Sequence, residues 1–178
     1  QIVTRTGAER SYLLSRERLQ RLAETKNLKE LTTNLNGPPY ENLLKALAEP
    51  SLGSIQRAFG EELTRLYAKI VRLSPEELKS FLKEYVSHLE VENLKPLLRA
   101  KNAHLPYETV IARIHLSIED IFGRRELFIE AAKAEDIKTA TQPFQDTPYA
   151  DAFAEASSRF EETKSTRFYD LALDRTYY

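Results

Sequence analysis

The stretch Ile55-Gln56-Arg57-Ala58-Phe59-Gly60-Glu61-Glu62-Leu63-Thr64-Arg65-Leu66-Tyr67-Ala68-Lys69-Ile70-Val71-Arg72-Leu73 decides the fold class. Ile55, Phe59, Leu63, Leu66, Ile70 and Leu73 recur at steps of three and four, which places them on one face of a helix. Gln56, Arg57, Glu61, Glu62, Arg65, Lys69 and Arg72 fill much of the remaining surface. At about 1.5 Å per residue such a helix is roughly 28 Å long.

Working outward, Ser74-Pro75-Glu76-Glu77 reads as the next helix start, with Ser74 as N-cap, Pro75 in the first turn and Glu77 completing a capping box. Leu78, Phe81, Leu82, Tyr85 and Leu89 supply its expected buried stripe, and the pattern continues through Asn93-Leu94-Lys95-Pro96-Leu97-Leu98-Arg99-Ala100-Lys101. Pro96 lacks an N–H and crowds the preceding turn, so a kink or break is expected between Val91 and Lys95. Gly37-Pro38-Pro39, Glu49-Pro50-Ser51, Leu105-Pro106-Tyr107 and Gln142-Pro143 mark the joints. Ser117-Ile118-Glu119-Asp120 resembles another cap, and Glu161 to Thr166 an exposed turn before a last helix ending at Tyr178. With only five glycines and little clustering of β-branched residues, the chain reads as all-α.

Two segments echo each other. Ala23 to Leu47 aligns without a gap to Ala132 to Ala156: Ala23, Lys29, Thr32, Pro39 and Tyr40 meet identical residues at Ala132, Lys138, Thr141, Pro148 and Tyr149. Asn27 meets Asp136, Leu28 meets Ile137, Leu35 meets Phe144 and Leu44 meets Phe153. Both describe an Asn/Asp-initiated helix, a polar turn, then Pro-Tyr opening another helix, as a repeat would. Two unrelated helix pairs with similar caps are the alternative.

Composition narrows the function. The 26 basic and 27 acidic residues leave a formal charge of −1, whereas a nucleic-acid binder carries a basic excess to neutralise phosphates. No apolar run approaches the ~18 residues that span a bilayer. Cysteine is absent, which removes disulfides and thiolate chemistry. Methionine is absent too, so the chain beginning at Gln1 is expected to be incomplete. His88, His104 and His115 are scattered, with no metal-binding spacing, and no phosphate-binding glycine loop or nucleophile elbow occurs. No catalytic residue and no cofactor are therefore expected. The paired carboxylates Glu61-Glu62, Glu76-Glu77, Glu119-Asp120, Glu135-Asp136 and Glu161-Glu162 read as exposed faces or helix starts. Tyr40, Tyr67, Tyr85, Phe59 and Phe81 read as core, and Tyr177-Tyr178 as a candidate interface. Lys95, Arg99 and Lys101 form a basic group that either faces a helix C-terminus or meets an acidic partner.

Tyr12-Leu13-Leu14-Ser15, Asn93 to Lys101, Asp146-Thr147-Pro148-Tyr149 and Leu171-Ala172-Leu173-Asp174-Arg175-Thr176-Tyr177-Tyr178 occur in a telling order. Together they resemble the family of C subunits of A/V-type rotary ATPases, related to the d subunit of the vacuolar enzyme. Pro96 departs from the family pattern. The resemblance implies helical repeat units, three of them around a pseudo-threefold axis in the complete funnel-shaped protein. Residues 1–105 would then be one unit and 106–178 the beginning of a second. It also implies a non-catalytic subunit without cofactors, cytoplasmic and peripheral to the membrane. Its partners would be the central stalk and the proteolipid rotor ring, with torque passing between them during proton or sodium transport. Asn93, Lys95, Arg99, Lys101, Tyr40, Tyr149, Asp174 and Arg175 are the candidate motif or partner-contact residues. An unrelated α-helical repeat adaptor is the competing reading; affinity capture from membranes separates the two.

Overall fold

The computed structural model describes residues 7, 10–35, 37, 38, 40–47 and 49–177. Among them every regular element is helical, in agreement with the all-α expectation. The chain forms two compact units, Gln1–Ser74 and Pro75–Tyr178. The expected repeat boundary at 105/106 falls inside the second of these.

The first unit holds α1 (Arg16–Ala23), α2 (Leu28–Asn34), α3 (Tyr40–Lys45) and α4 (Leu52–Leu73). Short polar side chains start three of them. Ser15 accepts the Arg18 N–H, Asn27 accepts that of Glu30, and Ser51 exchanges bonds with Ser54 in a capping box. Its core is small, with Leu22, Leu35, Ile55 and Val71 buried. Along α4 the expected stripe is only partly covered. Ile55 is buried, Phe59, Leu66 and Leu73 are half-buried, and Leu63 and Ile70 are exposed.

The second unit is built on α5 (Glu76–Asn102), followed by α6 (Tyr107–Ile111), α7 (Leu116–Phe122), α8 (Arg125–Lys133), α9 (Ile137–Thr141), a 3₁₀ turn at Gln142–Phe144, α10 (Ala150–Thr163) and α11 (Arg167–Tyr177). Lys164, in the left-handed region (φ 57°), turns α10 into α11, and the two pack along each other. Phe128 and Phe144 meet edge-on at 5.1 Å, and Phe144, Phe153, Tyr169 and Phe160 continue the aromatic core.

Four expectations are corrected here. First, α5 runs unbroken through Pro96. Proline costs one backbone bond, but Leu94, Leu97, Leu98 and Ala100 around it are all buried, and that packing outweighs the loss. Second, the stripe Leu78–Leu89 is not the buried face. Leu78, Phe81 and Tyr85 are exposed and Leu82 and Leu89 half-buried, while burial on α5 begins only at Val86, because its first turns extend past the core of this unit. The aromatic residues expected in the core fare likewise: Phe81 and Tyr85 are exposed, and Tyr40, Phe59 and Tyr67 are half-buried. Third, Ser74 does not cap α5. It closes α4, its hydroxyl donating to the Ile70 carbonyl (2.8 Å), and the Leu78 and Lys79 N–H groups of α5 bond to the Pro75 carbonyl. Fourth, Ser117 lies within α7 rather than ahead of it; the position before α7 is His115, which makes no side-chain cap.

The echo between segments is visible in local bonds. Asn27 and Asp136 both cap through Oδ1, to Glu30 N (2.9 Å) and Thr139 N (2.7 Å). Thr32 and Thr141 both donate to the carbonyl three residues back, Lys29 (3.0 Å) and Lys138 (2.9 Å). Tyr40 opens α3 and Tyr149 immediately precedes α10. Pro39 lies outside the described residues. The surroundings differ: Ala132, Ile137, Tyr149 and Phe153 are buried, whereas their counterparts Ala23, Leu28, Tyr40 and Leu44 are exposed or half-buried.

Candidate functional site

Beside the aromatic core, the second unit closes over a polar cluster. Val86, Glu90, Asn93, Leu94 and Leu97 follow the buried face of α5, so a carboxylate and an amide occupy apolar-stripe positions. Glu90 and Glu119 are each 0% exposed. Burying a charge is costly unless it is paired, and Glu90 is paired fully. It accepts Arg124 Nε (2.6 Å), a second guanidinium nitrogen of Arg124, and the Tyr149 hydroxyl (2.6 Å). Gly123 makes this possible: in the left-handed region (φ 70°), it ends α7 and sends the chain to Arg124, whose N–H bonds back to the Glu119 carbonyl. The guanidinium also lies 4.7 Å from the Phe122 ring centroid.

Asn93 is the second anchor. Its Nδ2 donates to Glu119 Oε1 (2.8 Å) and to the His115 carbonyl (3.0 Å), and its Oδ1 accepts the His115 N–H (2.9 Å). This amide on α5 thus holds the start of α7, where no local side chain caps it. Glu119 Oε2 finds no partner as an ionised acceptor. Burial first, and then the neighbouring Glu90, push the Glu119 carboxyl up to about 10. Burial and Glu90 also raise the Tyr149 phenol, keeping it a donor. Burial works against the Arg124 charge, but the bonds and attraction of Glu90 prevail and hold it above the ordinary arginine value.

The basic group expected at the end of α5 divides between two tasks. Lys101 is buried and donates Nζ to the Ala132 carbonyl (2.9 Å), one of the last-turn carbonyls of α8 that lack an in-helix partner. Lys95 bridges Glu92 (2.7 Å) and Asp174 (2.6 Å), and Arg99 grips Asp170 (2.7 Å). Two pieces of sequence far apart, around Lys95 and around Asp174, therefore meet as a clasp between α5 and α11. Burial disfavours the Lys95 ammonium, yet the bonds to Asp174 and Glu92 outweigh it and raise its pKa. Arg175 pairs at the surface with Glu155 (2.8 Å). Tyr40 stands apart in the first unit, its hydroxyl 3.4 Å from the Tyr12 carbonyl and its ring edge-on to Phe59. Tyr177 is half-buried with its ring centroid 5.4 Å from that of His88; Tyr178 lies outside the described residues.

The reading of Glu119-Asp120 as an exposed pair is corrected: Glu119 is fully buried and only Asp120 is exposed. Glu90 and Arg124 escape sequence reading altogether. The available signal is Glu90 at the spacing of Val86, Leu94 and Leu97, an anomaly in an apolar stripe. A groove of about 290 Å³, lined by Lys83, Ser87, Phe122, Arg124, Tyr149 and Tyr177 among others, opens beside the cluster. Chemically, no substrate reaches two fully buried carboxyls; what the arrangement does is tie α5 to α7 and to the segments preceding α8 and α10. Among the described residues no group of three or more His, Cys, Asp or Glu side chains is arranged to hold a metal ion, and no helix is long and apolar enough to cross a membrane.

The sequence matches the family described as "ATP synthase (C/AC39) subunit" over residues 2–178. It is similar to the C subunit of the A-type ATP synthase of Methanocaldococcus jannaschii, 25% identical over 97% of this chain and 43% of the relative. The counterpart of Methanosphaera stadtmanae is 25% identical over 98% of this chain and 43% of its own length. That of Thermococcus onnurineus is 24% identical over 93% and 44%. The chain thus spans a little under half the length of the curated relatives it matches. No solved structure gives a significant match.

Proposed function

The chain belongs to the ATP synthase (C/AC39) subunit family, and from that premise we propose that its parent protein is a non-catalytic coupling subunit. It joins the central stalk of a rotary A/V-type ATPase to the proteolipid rotor ring and carries torque between them. The match across residues 2–178 is the observation that carries this reading. The geometry is in keeping with it: polar side chains fasten α5 to α7, α8 and α11, giving the stiffness a torque-bearing body needs. The protein works on the cytoplasmic side, held at the membrane through the complex, and uses no cofactor of its own. Residues 1–105 and 106–178 serve as successive repeat units of a longer, funnel-shaped body. Of the candidate residues, Arg99 and Arg175, whose side chains are 55% and 62% exposed, are the ones presented to partners, while Asn93, Lys101 and Tyr149 work within the fold.

The test is a reconstituted ATPase lacking the parent protein. The catalytic head should still hydrolyse ATP, but hydrolysis should no longer drive ions across the membrane. ATP-driven pumping at the normal rate without the parent protein would overturn the proposal.

A further inference from the structure

The polar cluster holds two fully buried carboxyls, Glu90 and Glu119, beside the guanidinium of Arg124, whose side chain is 20% exposed. Glu90 takes three donors from Arg124 and Tyr149. Glu119 takes one donor, Asn93 Nδ2 on Oε1, and its Oε2 stays buried with no donor to accept. An anionic Glu119 would place a second negative charge beside Glu90 with only Arg124 to balance both, and would leave that oxygen bare. A neutral Glu119 removes both problems at once, because its proton becomes the missing hydrogen bond. The charged and titratable groups that face it are Glu90 from α5, Arg124 from ahead of α8 and Tyr149 from ahead of α10. Asn93 from α5 is neutral, and His115 is the remaining titratable residue at the head of α7.

We propose that Glu119 keeps a proton directed at Glu90, and that this single proton latches α7 onto α5, so that its loss releases α7 while the aromatic core stays folded. Geometry favours a local release. The residues of α7 that reach the interior are Ile118 and Glu119, whereas α10 and α11 are held by Phe144, Phe153, Phe160 and Tyr169.

The direction of the pH effect follows from linkage. A carboxyl at about 10 when α7 is closed and near 4.5 when it is open binds more protons in the closed form. Opening therefore becomes easier as pH rises above about 4.5, by up to tenfold per pH unit, and the trend levels off near about 10.

The experiment is amide hydrogen exchange of the whole chain across pH, corrected for the intrinsic base-catalysed rate, for wild type and Glu119→Gln. The amide of glutamine replaces the proton with a permanent donor. We expect α7 opening in the wild type to rise up to about tenfold per pH unit relative to Glu119→Gln, while Ala172 and Leu173 in α11 keep the same protection in both. Parallel pH profiles for α7 in the two proteins would overturn the latch, and so would α11 opening in step with α7, since the proton would then hold the whole unit. Infrared spectra of the wild type supply a readout that does not need the variant to fold. At about pH 8 exposed carboxyls are ionised, so a protonated-carboxyl band must remain; a spectrum without one also ends the proposal.

Discussion

Replacing Asn93 by alanine tests the cluster at its best-defined point. Three hydrogen bonds disappear, and three groups lose their partner: the His115 N–H, the His115 carbonyl and Glu119 Oε1. An orphaned buried polar group costs roughly 1–3 kcal/mol. Glu119 lies at the upper end because it is fully buried. The two His115 groups lie at the lower end, since their bonds are only part-buried and water can enter the space vacated. The sum is about 3–5 kcal/mol, a large share of the roughly 5–15 kcal/mol that holds a typical domain together.

Urea unfolding followed by far-UV circular dichroism gives the global number. Exchange protection of the Leu97 and Leu98 amides reports the second unit alone, which matters because two compact units need not unfold together. With an m-value of about 2 kcal/mol/M the midpoint should fall by roughly 1.5–2.5 M. Asn93→Asp sharpens the test. It keeps the size of the side chain but loses the Nδ2 donor and adds a carboxylate facing Glu119. That variant should be at least as unstable near neutrality and should recover towards wild type on acidification, as the new carboxyl takes up a proton. An Asn93→Ala protein within about 1 kcal/mol of wild type would show that the amide anchors nothing and refute this account.

The other outcomes concern the rest of α5. Leu98→Asp buries a carboxylate beside Leu94 and Leu97, all at most 1% exposed, so it should cost several kcal/mol and leave little folded second unit, as circular dichroism would show. Lys95→Ala and Asp174→Ala, combined in a double-mutant cycle, should reveal a coupling of only about 0.5–1 kcal/mol that shrinks in high salt, because the Asp174 side chain is 42% exposed.

The helices are legible in the sequence because their signal is local. The three-and-four spacing of Ile55 to Leu73 and the caps at Asn27, Ser51 and Asp136 are properties of a few neighbouring residues. Which face a helix buries is set by what arrives from elsewhere. Leu78, Phe81 and Tyr85 look like a core stripe, yet no described element of their unit covers the first turns of α5. The candidate site is hidden for the same reason. Asn93 and Tyr149 stand out in the sequence, but their roles depend on Glu90, Glu119 and Arg124, and those depend on contacts reaching across 26 to 59 positions of sequence. Periodicity carries no trace of such contacts. An acidic residue inside an apolar stripe is the one local mark of them, and Glu90 bears it.

The two sides of α5 carry charge in different ways, and the difference bears on how the helix could transmit load. On one side Lys95 and Arg99 reach α11 through partly wet pairs, which cost little to break and re-form easily in another geometry. On the other side Glu90, Asn93 and Lys101 reach α7, α8 and the segment before α10 through buried bonds, where each lost partner strands a polar group away from water. A sideways force on α5 therefore meets two kinds of polar resistance, pairs along α11 that re-form and bonds in the cluster that cannot be lost without stranding a polar group. The resistance does not come from apolar packing alone. Packed side chains can slide by a fraction of an ångström at small cost, whereas a bidentate guanidinium or a three-bonded amide loses its geometry over the same distance. Placing such groups at apolar-stripe positions ties α5 to its neighbours through bonds whose geometry admits little displacement.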